Sequence, residues 1–178
     1  EILAVPTDGE QARVTNVAGA RATWTLVPLA DGAYHLILAG NAEGRRRIYK
    51  DGKFFREIWA NAFDPEVRIA EYARFGVDVQ VVSTVPVMFS YWAKPSQALE
   101  LHRFLNDHMA EVCRRYPRNY AGIGTVPLQS PTLAIQELER CVEQLGINAV
   151  QIGSHIENWN LDAPELFPFF EAAADLGA

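Results

Sequence analysis

From Asp64 onward the chain alternates short apolar runs with amphipathic stretches, and this alternation constrains its architecture more than any other feature. Asp64-Pro65 places a capping side chain before a proline at the first helical position, and "EVRIAEYARF" continues with helical spacing until Gly76 stops it. "VDVQVVS" reads as a β-branched strand, "SQALELHRFLNDHMAEVCRRY" as a long amphipathic helix ending before Pro117, and "YAGIGTV" as a second strand. Ser130-Pro131 opens the helix "TLAIQELERCVEQL", Gly146 closes it, and "NAVQIG" is a third strand. Asp162 with Glu165 has the spacing of a capping box for a last helix, "PELFPFFEAAADL", in which Pro168 predicts a kink or a later start. Short apolar strands alternating with helices are the pattern of a parallel sheet covered by helices, so the expected class is α/β.

Within that class, a dinucleotide-binding sheet is disfavoured, because "GIGTVPLQ" has its glycines before the strand ends and none opening a helix. A (β/α) barrel remains, yet three strands do not close one, since closure takes eight strands and about 250 residues. The expectation is therefore a partial (β/α)8 TIM-type barrel of about three βα units, with raw edges and an ending at "ADLGA" that reads as truncation. Residues 1–62 follow a different grammar. In "TWTLVPLADGAYHLILAG" two apolar runs flank Asp31-Gly32, which predicts a β-hairpin, and Asp51-Gly52 is a second turn dipeptide before "KFFREIWANAF". The expected organisation is a β-rich hairpin insertion over 1–62 and barrel units over 63–178.

The 178 residues carry a net charge of −6, which argues against nucleic acid as a partner. The one basic run, Arg45-Arg46-Arg47, reads as a solvated edge. No apolar run approaches the roughly 18 residues of a membrane span, and "EILAVPTDGE" lacks the layout of a signal peptide. Cys113 and Cys141 fall inside helical patterns and read as small buried groups in a reducing compartment, so a cytoplasmic location is expected.

One stretch resists a purely architectural explanation. "VSTVPVMFSYWAKP" begins as a strand and then places Met88, Phe89, Tyr91 and Trp92 where a loop usually carries polar turn residues. Together with "KDGKFFREI", "DPEVRI", "GTVPLQ" and "VQIGSHIENWNLDAPELFPFF", it resembles the aminocarboxymuconate-semialdehyde decarboxylases of the amidohydrolase superfamily. The likeness runs in order from about Lys50 to the C-terminus; before Lys50 it suggests only an inserted hairpin. It implies a distorted (β/α)8 barrel, one divalent metal (usually Zn2+), and oxygen-independent removal of a carboxylate from 2-amino-3-carboxymuconate 6-semialdehyde in tryptophan breakdown by the kynurenine route. It further implies a homodimer for the complete enzyme.

The same resemblance implies roles for particular residues. Arg56 falls on an arginine that holds a substrate carboxylate, a task suited to the planar, bidentate guanidinium. Lys50 falls on a lysine close to the site. Solvated charges on a hairpin are the competing reading for both. In a barrel, loops at the strand C-termini build the site, so Met88 and Phe89 are candidates for an apolar wall against a flat conjugated substrate. Packing against a neighbouring helix or subunit is their alternative, and the favoured reading for Tyr91 and Trp92.

The family's metal ligands are a His-x-His pair after the first strand, a histidine after the fifth and an aspartate after the eighth. This sequence has His35, His102, His108 and His155, and no His-x-His. His102 and His108, six residues apart, would point about 240° apart around a helix and cannot share an ion. His155 matches a family histidine that is not a ligand. The expectation is that this chain supplies no metal ligand and no catalytic acid–base residue. Among the carboxylates, Asp78 lies at a strand's start, Asp162 is explained by capping, and Glu157 is a loop charge. Two alternatives stay open. One is another superfamily decarboxylase or hydrolase acting on a small aromatic or unsaturated acid; the other is a non-catalytic, metal-free binding module.

Overall fold

The computed structural model describes residues 23–25, 37–40, 45–50 and 53–178, and the chain divides into two units, Glu1–Val77 and Asp78–Ala178. In the first unit β1 (Thr23–Thr25), β2 (Ile37–Gly40), β3 (Arg46–Lys50) and β4 (Lys53–Ile58) form an antiparallel sheet in sequence order. The Asp31-Gly32 and Asp51-Gly52 turn dipeptides lie outside the described residues. Pairing runs Arg46↔Ile58, Arg47↔Glu57 and Ile48↔Arg56, then slips to Tyr49↔Phe54, leaving Phe55 as the extra residue of a β-bulge.

The arginine run is not an edge. β3 lies between β2 and β4, and Arg45, just before it, pairs through Nη1 with Glu57 Oε1 at 2.9 Å and stacks its guanidinium over Trp59 at 3.8 Å. Sequence pattern could not separate a solvated cation from one recruited by an aromatic ring 14 residues on.

Helix α1 (Pro65–Ala73) begins as expected. Asp64 accepts hydrogen bonds from the backbone N–H groups of Glu66 and Val67 at 3.0 and 3.2 Å, and Gly76 takes the left-handed conformation (φ 73°) just past the helix end. Asn61 Nδ2 donates to Glu71 Oε2 at 2.6 Å, tying the preceding 3-10 turn (Ala60–Ala62) to α1. Asp64→Ala should therefore cost about 1 kcal/mol, read as a lower urea midpoint with unchanged slope.

The second unit holds the α/β pattern. Strand β5 (Gln80–Val82) pairs in parallel with β6 (Tyr120–Gly122), and β7 (Gly124–Thr125) pairs in parallel with β8 (Val150–Gln151). The predicted strand "YAGIGTV" is thus one segment broken at Ile123. There the backbone changes partner: Ile123 N–H donates to Val82 C=O and Gly124 N–H to Ala149 C=O, both at 2.8 Å. Helix α2 (Pro95–Arg115) connects β5 to β6, and α3 (Pro131–Arg140), prolonged by a π turn over Cys141–Leu145, connects β7 to β8.

The glycines of the middle segment show which face the helices cover. A Cβ on Gly122 would lie 2.7 Å from Met109 Cγ and 3.1 Å from Cys113 Sγ, and one on Gly124 3.1 Å from Asn106 Oδ1. Glycine therefore lets the backbone approach α2 closely, and a side chain there would push Met109 or Asn106 aside. Gln80 and Tyr120, opposite each other in register, are buried. Val81 and Ala121, also paired and on the opposite face, are exposed, Val81 at 67%. The main apolar cluster comprises Val126, Leu128, Ala134, Leu138, Ile156, Leu166 and Phe169.

A buried polar network joins α2, α3 and β7. Asn106 pairs with the Thr125 backbone as a strand would, donating from Nδ2 to its carbonyl at 2.9 Å and accepting its N–H at Oδ1 at 2.8 Å. The same Nδ2 donates to Glu137 Oε1 at 2.7 Å. Glu137, fully buried, also accepts from Arg140 Nη2 and Nε at 2.8 and 2.9 Å and from Arg103 Nε at 3.4 Å. Arg140 reaches on to Asp107 Oδ1 at 2.6 Å. Burial, together with the Glu137 charge, pushes the Cys141 thiol up to about 12, so this cysteine acts as a core group.

After β8 the chain forms a small hairpin, β9 (His155–Ile156) with β10 (Trp159–Asn160), and then α4 (Phe167–Leu176). The capping box is a miss. A 3-10 turn over Pro164–Leu166 comes first, its cap is Ala163, and no side chain bonds there. Pro168 has no N–H to return to the carbonyl four residues back, so the α-helical ladder starts later. Among the described residues no helix is long and apolar enough to cross a membrane.

Candidate functional site

At the carboxyl end of β5 the chain enters a 3-10 turn, Pro86–Phe89, with proline at its first position and Ser90 in the left-handed region (φ 50°) at its end. The aromatic stretch divides its side chains between two environments. Phe89 is 7% exposed and stacks on Tyr91, ring centroids 5.6 Å apart. Met88 is half-buried, whereas Val85, Val87 and Trp92 are exposed.

Three residues from outside hold this loop through polar contacts. His102 Nε2 lies 3.0 Å from the Phe89 carbonyl; because a carbonyl only accepts, Nε2 carries the proton. Gln129, just beyond β7, donates from Nε2 to the carbonyls of Ser90 and Ala93, each at 3.2 Å. Gly153, just beyond β8, donates its N–H to the Tyr91 hydroxyl at 3.1 Å. A Cβ on Gly153 would fall 3.0 Å from the Tyr91 ring, so glycine lets the ring seat there. Burial raises the Tyr91 phenol above its ordinary range against the opposing pull of that N–H, so the hydroxyl stays protonated. The loop after β5 is thus tied to the loops after both other strands, and the carboxyl ends of a parallel sheet are where α/β proteins place their sites.

The sequence-predicted residues fall in two places. Met88 and Phe89 are neighbours in the 3-10 turn of the second unit. Arg56 and Lys50 belong to the first unit. Arg56 is exposed on β4, directly after the bulge residue Phe55, and Lys50 ends β3 opposite Lys53. A bulge re-aims the side chains beside it and is common next to active sites; no residue type announced it. The clasp formed by His102 and Gln129 also escaped sequence reasoning. Gln129 left one faint trace, as a polar residue closing the otherwise apolar rim "TVPL".

Of the histidines, His102 is fully buried against a carbonyl and His108 is exposed on the same helix. His155 is exposed with Nδ1 3.2 Å from Ser154 Oγ, and His35 lies outside the described residues. Asp78, Glu157 and Asp162 are all exposed; Asp78 accepts a long bond from Asn119 at its backbone carbonyl, and Glu157 takes a left-handed turn position (φ 50°). Among the described residues no three His, Cys, Asp or Glu side chains are grouped to hold a metal ion.

The sequence pattern of the amidohydrolase family matches residues 30–178. The chain belongs to the amidohydrolase family. A 2-amino-3-carboxymuconate-6-semialdehyde decarboxylase of Dictyostelium discoideum is 55% identical over 134 residues, a match covering 75% of this chain and 37% of that protein. The corresponding decarboxylase of Caenorhabditis elegans is 36% identical, covering 72% and 37%. The chain thus spans little more than a third of the length of these curated relatives. Among solved structures, a 5-carboxyvanillate decarboxylase of Novosphingobium aromaticivorans, complexed with manganese and 4-hydroxy-3-methoxy-5-nitrobenzoic acid, superposes with a TM-score of 0.59 at 30% identity, covering 62% of this chain and 32% of that one. This amidohydrolase chain therefore shares its α/β fold with family members that are carboxy-lyases, one of them solved with a divalent metal. Its own described residues do not fit such an ion, because the buried His102 is committed to a carbonyl and no three His, Cys, Asp or Glu side chains among them are grouped.

Proposed function

We infer that this chain forms part of a carboxy-lyase that decarboxylates 2-amino-3-carboxymuconate 6-semialdehyde, and that it contributes substrate-binding residues. The observation that carries the reading is the 55% identity over 134 residues to the Dictyostelium decarboxylase, against 30% to the solved aromatic-acid decarboxylase. In this reading residues 1–62 form the hairpin-bearing insertion with the clamp, and 63–178 are βα units of an incomplete amidohydrolase barrel. Arg56 holds a substrate carboxylate through two parallel N–H···O bonds, and Lys50 adds positive charge close by. Met88 presents its thioether to the flat conjugated chain, and Phe89 backs the wall from beneath. The reading extends, on family likeness, to zinc as the metal, the kynurenine route as the setting, a homodimer and a cytoplasmic location.

A second reading keeps the reaction class and changes the substrate to an aromatic acid, as the structural match to the 5-carboxyvanillate enzyme favours. Assaying the protein that carries these residues, with zinc or manganese supplied, separates the two. Loss of semialdehyde absorbance well above the spontaneous rate, with 5-carboxyvanillate left untouched, is the expected result. Turnover of the aromatic acid alone would replace the first reading by the second.

A further inference from the structure

His102 sits on α2, and its imidazole is fully buried and reaches the last carbonyl of the 3-10 turn that carries Met88. Its other nitrogen, Nδ1, is buried with no hydrogen-bond partner. A buried ring so arranged has one permitted state, the neutral tautomer protonated at Nε2. A second proton, on Nδ1, would place an unsatisfied charged donor in a buried site. The bonded carbonyl belongs to Phe89, next to Ser90, whose left-handed backbone turns the chain toward Tyr91. The His102 bond therefore fixes the point at which the loop changes direction.

We propose that neutral His102 is a positioning residue that holds the 3-10 turn of residues 86–89, and with it the Met88 wall, at the carboxyl end of β5. This rests on the reading of that loop as a pocket wall. His102 acts through the loop and touches no substrate itself. Burial lowers its proton affinity below the ordinary value, while the carbonyls of Phe89 and Met88 and the charge of Glu137 on α3 pull the other way. With the folded value depressed, the contribution is complete above the ordinary histidine value of about 6.5 and is lost as pH falls toward the lowered one.

Hydrogen exchange on the whole chain, without substrate, reads the loop directly. At pH 7.5 His102→Leu should speed exchange of residues 83–94 about tenfold, the scale of one lost buried hydrogen bond, while residues 132–140 of α3 keep their protection. His102→Gln places an amide donor near the Nε2 position. It should restore protection of 83–94 and keep it down to pH 5, where the wild-type loop, corrected for intrinsic rates, opens ahead of α3. Unchanged loop exchange in His102→Leu, or no rescue by glutamine, would overturn the proposal. If the leucine variant loses protection everywhere, the wild-type acid series decides, and uniform opening or no opening at pH 5 overturns the proposal. Because exchange is followed without substrate, this result stands or falls apart from the decarboxylase assay.

Discussion

Asn106→Leu is expected to destabilise the second unit by about 3–5 kcal/mol, enough to unfold a marginal domain. Leucine approximates the shape and removes every bond the amide makes. The Thr125 N–H and C=O are left without Asn106, and Glu137 loses its uncharged donor. Each stranded buried polar group costs about 1–3 kcal/mol, more for a charged one. Urea unfolding followed by far-ultraviolet circular dichroism should show a large drop in midpoint. Thr125→Val is the informative contrast. Its hydroxyl Oγ1 is buried with no partner, so exchanging it for a methyl should change stability by less than about 1 kcal/mol. Comparable losses in both variants would mean that the network, as drawn, does not hold β7.

Arg56→Ala should lower kcat/KM on the semialdehyde about a hundredfold in the protein that carries these residues, equivalent to about 2.7 kcal/mol of transition-state binding. Alanine removes both the charge and the planar fork that matches a carboxylate. Arg56→Lys restores the charge without the fork, so partial recovery is expected. The ratio between the two variants separates charge from geometry. A kcat/KM unchanged in Arg56→Ala would take this residue out of the site.

Much of the chain from Asp64 onward could be read from residues alone, because its signals are local. Proline at the first helical position marked α1 and α3, and glycine in the left-handed region closed both. Long-range physics remained hidden. "YAGIGTV" reads as one strand because nothing local records that its backbone changes neighbour at Ile123. Asp162 and Glu165 have capping-box spacing, yet the 3-10 turn starts one residue later, with Ala163 as its cap. The candidate loop was legible in a similar, uneven way. Met88 and Phe89 stood out as apolar excess in a loop, whereas His102 and Gln129 bond to carbonyls 13 and 36–39 residues away, a distance no spacing rule reaches.

The broken middle strand has a mechanical consequence. Residues 120–125 bond to β5 with their first half and to β8 with their second, and the Tyr91–Gly153 contact joins the far ends of those neighbours. Together they make a closed frame, braced at base and rim. A frame of that kind has little slack, so a side chain that pushed Gly124 away from α2 would not be absorbed where it occurs. The displacement would travel along both uprights and arrive at the mouth, moving the loops after β5 and β8 in concert.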